Sequence, residues 1–115
     1  MSYMLLIMEP RGQRATRSAV EGREVYERML AYAAALKQRG VLLAAHALKS
    51  DALRLTLAQG RTQVLDGPFT ESKELIGGFF LIDCGTRDQA LAIARECPAA
   101  AWASIEVREI GTCYE

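Results

Sequence analysis

Asp66, Glu71, Lys73 and Glu74 are crowded into one short run, Asp66-Gly67-Pro68-Phe69-Thr70-Glu71-Ser72-Lys73-Glu74, between two apolar stretches. Three carboxylates and an ammonium so close together could hold an amine, a polar metabolite or a metal, or could carry a proton. Pro68 fixes φ at about −65° and Gly67 tolerates unusual φ, so these side chains belong to a shaped loop. Asp66 has two readings. It is either an Asx-type turn former, accepting backbone N–H groups just downstream, or a loop carboxylate acting as catalytic base or ligand anchor. Glu71 and Glu74 lie three apart, which in a helical turn begun at Thr70 would put them on one face with Lys73 turned away. That pair either touches a ligand or stabilises the positive end of a one-turn helix.

His46 is the only histidine. It interrupts the apolar run Val41 to Leu48, where it is either a hydrogen-bonded core residue or a pocket residue able to do acid–base chemistry near neutral pH. Glu106 and Arg108 share a strand face and could reach the same pocket, or could form an exposed ion pair. Cys84, Cys97 and Cys113 make no C-x-x-C pair and have no evident activating neighbour. One histidine and dispersed cysteines lack the spacing of a metal centre, so neither metal nor other cofactor is expected. Tyr26, Tyr32 and Trp102 read as core or interface.

The elements that must position these residues follow from hydrophobic pattern. Tyr3 to Met8 is apolar at successive positions, as in a strand covered on both faces. Glu9 to Arg17, which contains Pro10 and Gly12, reads as a polar connection. Ser18 and Glu21 form a capping box that starts a helix. Val25, Met29, Tyr32, Ala33 and Leu36 share that helix's apolar face, and Gly40 stops it. Val41 to Leu48 reads as a strand with Leu42, Ala44, His46 and Leu48 on one face and Val41, Leu43, Ala45 and Ala47 on the other. Leu53, Leu55 and Leu57 alternate with Arg54 and Thr56 as a half-exposed strand, and Gln59-Gly60 returns it through Arg61 to Leu65 as a hairpin. Phe79 to Ile82 is a strand without a polar face. Thr86 and Gln89 cap a short helix with Ala90, Ile93, Ala94 and Cys97 inward, ended by Pro98. Ala103, Ile105 and Val107 alternate with Ser104, Glu106 and Arg108 in the last strand.

This order predicts a single α+β domain over 1–115: a ferredoxin-like βαββαβ sheet with an inserted β-hairpin and both helices on one face. The uncovered face is also apolar. A second copy of the sheet would cover it, which predicts a homodimer in the form of a dimeric α+β barrel. Fourteen basic residues balance fourteen acidic ones, so no global field recruits nucleic acid or a membrane surface. The N-terminal apolar run is too short to span a bilayer and lacks the parts of a signal peptide. With an odd cysteine count, a reducing, cytoplasmic setting is expected.

Tyr3 to Ile7, the Asp66 to Glu74 run with Gly77-Gly78-Phe79, and Cys97-Pro98 followed by Ile105-Glu106-Val107-Arg108 together resemble the DGPF-domain branch of the YCII-related family. The resemblance implies a bacterial dimeric α+β barrel, often encoded beside extracytoplasmic-function sigma factors, with no established reaction. The YCII branch carries a histidine in its first helix and an aspartate before a proline after its second; Met29 and Cys97 occupy those places here. The chemistry proposed for that pair is therefore not transferred.

Three readings of function follow. In the first, a pocket beside the DGPF loop binds a small polar molecule and in one version transforms it. There His46 and Asp66 carry protons, and Glu71, Lys73, Glu74 and Arg108 contact the ligand. In the second, the protein is an interaction or regulatory module working with a sigma factor. In the third, the motif serves only the fold of a stable dimer.

Overall fold

A computed structural model describes residues 1–67, 69 and 71–114. Strand β1 (Ser2–Pro10) is followed by a 3₁₀ turn (Arg14–Thr16), helix α1 (Ala19–Gln38) and strand β2 (Leu42–Ala47). Strands β3 (Leu53–Ala58) and β4 (Arg61–Asp66) form the hairpin, and β5 (Glu74–Asp83), α2 (Arg87–Arg95), a 3₁₀ turn (Pro98–Ala101) and β6 (Ser104–Glu109) complete the order. The main sheet runs β2-β5-β1-β6, antiparallel throughout, and β3-β4 is a separate two-stranded sheet. The chain is a mixed α+β protein.

Both expected capping boxes form. Ser18 Oγ accepts from the Glu21 N–H and Glu21 Oε1 from the Ser18 N–H, at 3.1 and 2.9 Å, and Thr86 and Gln89 repeat the exchange. Gly40, at φ +76°, ends the first helix in the left-handed region that favours glycine.

Strand β1 alternates strictly. Tyr3, Leu5, Ile7 and Glu9 are buried, whereas Ser2, Met4, Leu6 and Met8 are half-buried. Tyr3, Leu5, Ile7, Phe80 and Ile82 join Tyr32 and Leu36 of α1 and Ala90, Ile93 and Ala94 of α2 in one core, so both helices lie on the same sheet face. The Tyr32 hydroxyl, its pKa pushed far above the ordinary range by burial, donates to the Ile93 carbonyl at 2.6 Å and ties the helices together. Met4, Leu6, Phe79 and Leu81 stand on the other face, only half-buried. The expectation that β1 is covered on both faces is thus met on one face of the single chain.

Two further expectations are corrected. A register shift between Leu42 and Ala44 breaks the alternation of β2, so Leu42 and Ala45 both oppose core residues, Ile82 and Phe80, while Leu43 is exposed. A bulge adds a residue and resets parity. The hairpin is exposed on both faces rather than half-exposed: Leu53, Leu55, Leu57 and Val64 each retain more than half their surface. Gln59 and Gly60, at φ 52° and 73°, make the tight turn between Ala58 and Arg61 with both central residues left-handed.

Candidate functional site

A cleft of about 460 Å³ opens between α1 and the sheet. Its helix wall is Val25, Tyr26, Met29, Leu30 and Ala33, with Trp102 closing one end. Its floor carries the ion pair Glu9–Arg14. Glu9 follows Tyr3, Leu5 and Ile7 in phase, so strand alternation sends its carboxylate inward, and it is only 6% exposed.

Two glycines make this floor. Between Ile7 and Met8 the β1–β5 register shifts, leaving Gly77 as the extra residue of a bulge beside Glu9. A Cβ on Gly77 would stand 2.6 Å from the Glu9 carboxyl carbon, so the carboxylate occupies space that only glycine leaves. On Gly78 a Cβ would stand 2.8 Å from the His46 carbonyl oxygen, so glycine lets β2 approach β5.

Arg14 is fastened from several sides. Its Nε lies 2.8 Å from Glu9 Oε1, and its Nη groups donate to the carbonyls of Leu48 and Gly77 at 2.7 and 3.0 Å. The Nε contact is a charge contact without hydrogen-bond alignment, and Glu9 Oε1 remains a buried acceptor with no hydrogen bond among the described residues. A second, smaller cavity of about 330 Å³ lies across the same pair, between Pro10 to Ala15 on one side and Ser50, Asp51 and Gly67 on the other.

Two cations lie over Trp102: the guanidinium carbons of Arg17 and Arg28 are 5.7 and 5.1 Å from its ring centre. Gln13 donates to the Trp102 carbonyl at 2.7 Å, which ties this end of the cleft to the segment bearing Arg14.

Of the residues expected from sequence, His46 borders the cleft. Register pairs it with Phe79 on the open sheet face, and the two rings are 5.7 Å apart, so it meets the cleft through its main-chain side. Arg108 opposes Met4 and projects, exposed, on that same open face. Asp66 ends β4 opposite Leu53 and is exposed. The turn assigned to it runs through Pro68 and Thr70, which lie outside the described residues. Among the described residues, Asp66, Glu71, Lys73, Glu74 and Arg108 are not in the cleft wall, so the expected convergence of the loop acids on His46 is not the arrangement found.

Glu71 and Glu74 do not share a helical turn either. Glu74 already belongs to β5, because its neighbourhood pairs with Pro10 of β1. Glu71 instead accepts a 2.6 Å bond from Arg54, which holds its carboxyl below the usual carboxylate range, and the Arg54 guanidinium stacks 3.8 Å over Phe69. Arg11 fixes the other end of the loop through bonds to the carbonyls of Ser72 and Lys73, at 2.7 and 3.0 Å. Glu71 is thus held by the hairpin's Arg54, and Ser72 and Lys73 by Arg11 just after β1. Because Glu71 and Glu74 are exposed, Glu71→Gln and Glu74→Gln are each expected to leave the melting temperature unchanged within error, as differential scanning fluorimetry would show.

Met29 lines the cleft, and Cys97 is buried before Pro98, its thiol pushed above the ordinary value by desolvation. A buried neutral thiol is a packing residue. Among the described residues no group of three His, Cys, Asp or Glu side chains could hold a metal, and no helix is long and apolar enough to cross a membrane.

Fold and cleft together describe a small α+β protein with one helix-covered sheet face and an apolar cavity floored by a buried carboxylate. The chain matches the YCII-related domain over residues 1–112 and belongs to that family. An uncharacterized protein of Rhizobium meliloti (strain 1021) is 46% identical over 61 residues, 51% of this chain and 49% of that protein. The chain therefore spans about half the length of the curated relative it matches. Among solved structures, 5-chloro-2-hydroxyhydroquinone dehydrochlorinase from Burkholderia phenoliruptrix AC1100, in complex with 2,5-dihydroxybenzoquinone, is similar with a TM-score of 0.56. The match covers 96% of this chain and 94% of that one at 17% identity, a likeness of fold.

Proposed function

We propose that this protein binds a small molecule in the cleft between α1 and the sheet. The observation that carries the reading is a mostly apolar cleft of about 460 Å³ whose floor carries the Glu9–Arg14 ion pair, with Glu9 buried. A concave, mostly apolar cavity with a few convergent polar groups is the usual form of a small-molecule site. The second cavity, which Gly67 and Asp51 help to line, borders the same ion pair. A protein of similar fold named for a chlorinated hydroquinone, and bound to a quinone, supports a ligand of single-ring size, which the cleft admits.

The functional unit in this reading is a homodimer. The strand order β2-β5-β1-β6 supports a ferredoxin-like sheet, and the half-buried Met4, Leu6, Phe79 and Leu81 are the surface a partner sheet would cover in a dimeric α+β barrel. Light scattering at micromolar concentration is expected to return twice the chain mass. A folded monomer would remove the barrel.

A second reading, an interaction module, is favoured by one observation: the leucine-rich face of the hairpin is exposed well away from the helix core. A thermal-shift screen separates the two. Under the cleft reading, a ligand at a hundred times its dissociation constant stabilises the fold by about 2.7 kcal/mol. Ala33→Phe, which fills the cleft from α1, is expected to abolish that shift, whereas Leu55→Ser on the hairpin is expected to leave it intact. The reverse pattern would favour the interaction module.

A further inference from the structure

We propose that the cleft takes an organic monocarboxylate with an apolar body, its carboxylate bound by Arg17 at the end closed by Trp102 and its body lying along α1. The proposal deepens the cleft reading above and rests on it. The charges of the lining do not cancel. The whole chain balances fourteen basic residues against fourteen acidic ones, yet the cleft holds two guanidiniums, Arg14 and Arg17, against the single carboxylate of Glu9. Glu9 is neutralised by Arg14 at 2.8 Å, and the Arg14 Nη groups donate to the Leu48 and Gly77 carbonyls. Arg17 is left as the cation of the lining without an acid. Among the described residues it makes no salt bridge, and the hydrogen bond its side chain donates, from Nη2 to the neutral Gln13 Oε1, is a long 3.3 Å.

The surroundings of Arg17 favour an anion. It is half-buried, so its field is screened less than that of a fully solvated arginine. Arg28 brings a second guanidinium to the same Trp102 ring and also makes no salt bridge among the described residues. Arg17 stands one residue before the Ser18 cap, at the positive end of a 20-residue helix. Glu21 opposes this field in part. Its carboxyl is held below the usual range chiefly by hydrogen bonds from Ser18, with a smaller part from the Arg17 charge, and it does not occupy the Arg17 donors. A guanidinium offers parallel N–H donors that match the two oxygens of a carboxylate. An ammonium finds no free acid in the lining, because Glu9 is 6% exposed and already faces Arg14. From Val25 to Ala33 the helix wall runs about 12 Å, at about 1.5 Å per residue, and Val25, Met29, Leu30 and Ala33 bring only apolar surface to it. That run takes the body of the ligand and leaves Arg17 as the place for its charge.

Trp102 is the only tryptophan, lines the cleft and lies under both guanidiniums, so its fluorescence reports occupancy. Wild-type protein is titrated at neutral pH with para-ethylbenzoate, its neutral isostere para-ethylbenzamide and the cation para-ethylbenzylamine. Para-ethylbenzoate is expected to bind tighter than either of the others by roughly tenfold, the low end of the range for hydrogen bonds to a charged group. In Arg17→Gln, with far-UV circular dichroism matching wild type, the preference for benzoate over benzamide is expected to fall several-fold. Arg17→Lys, which keeps the charge without the paired donors, is expected to fall between the two. Arg28→Gln, which removes a guanidinium outside the cleft lining, is expected to lose less than Arg17→Gln. If Arg17→Gln does not fold, the wild-type ratio and Arg17→Lys decide. Equal binding of benzoate and benzamide, a preference for the amine, or a benzoate preference unchanged in Arg17→Gln overturns the assignment while leaving the cleft as a binding site. No change in Trp102 emission with any of the three overturns both.

Discussion

Gly78→Ala is expected to destabilise the protein by roughly 2–3 kcal/mol, the upper part of the range for overpacking. The new Cβ would stand 2.8 Å from the His46 carbonyl oxygen and 3.3 Å from the Ala47 Cα. Both are backbone atoms of a strand in register with β5, through His46↔Phe79 and Ala47↔Gly78. No rotamer can relieve the clash, so β2 must move. As an edge strand it can move only by giving up ladder hydrogen bonds, which also deforms the cleft wall it forms with Ala45 and Ala47. Gly77→Ala is different in kind, because its Cβ would meet the end of the Glu9 side chain rather than backbone. Its expected signature is a displaced Glu9 carboxylate more than lost stability. Gly22→Ala serves as the control: nothing lies within 4 Å of its added Cβ, and alanine in a helix is expected to stabilise by about 0.4–1 kcal/mol. Urea unfolding of the three variants measures the series. A Gly78→Ala protein within about 0.5 kcal/mol of wild type would show that the strands are not as closely fitted as described.

Those glycines also mark how far the sequence could be read. Periodicity located every main element, and two capping boxes placed both helix starts at the residue, because caps are local chemistry that tertiary packing does not override. The faces of β2 came out mixed because a bulge at Leu43 is invisible to alternation. The hairpin's leucines promised a buried side that the single chain does not supply. The central motif drew attention through composition, and its Glu71 proves to be clasped by Arg54.

The cleft residues were legible but were read as something else. Glu9 looks like the first residue of a polar connection, yet it continues the phase of Tyr3, Leu5 and Ile7 and so falls on the buried face. An acid in phase with a core stripe is the signal that could have found it. Its partner could not be found that way, because Arg14 reaches Glu9 from a 3₁₀ turn, and the pairing depends on how the chain leaves β1. Tyr26 and Trp102 read as packing residues for the same reason. Whether an aromatic ring fills a core or walls a cavity depends on what the opposing element leaves empty.

Arg14→Ala tests whether the ion pair is architecture or site. Removing one partner of a fully buried pair costs roughly 3–5 kcal/mol, since the remaining charge is left uncompensated. Arg14 keeps 38% side-chain exposure against 7% for Glu9, so solvent replaces part of what the guanidinium supplied, and the expected loss is about 2–3 kcal/mol. The Gly77 carbonyl would still accept from the Leu48 N–H, and the Leu48 carbonyl, near the surface, can turn to water. Most of the loss should therefore be the stranded Glu9 charge. The double variant Glu9→Leu with Arg14→Leu removes both charges and fills the floor with apolar volume. It is expected to recover most of the stability lost in Arg14→Ala, as apolar replacements of buried ion pairs do. If it is as stable as wild type, the charged floor is not there for stability and belongs to the site. A double variant that loses as much stability as Arg14→Ala would instead make the pair a structural clasp between β1 and the segment leading into α1.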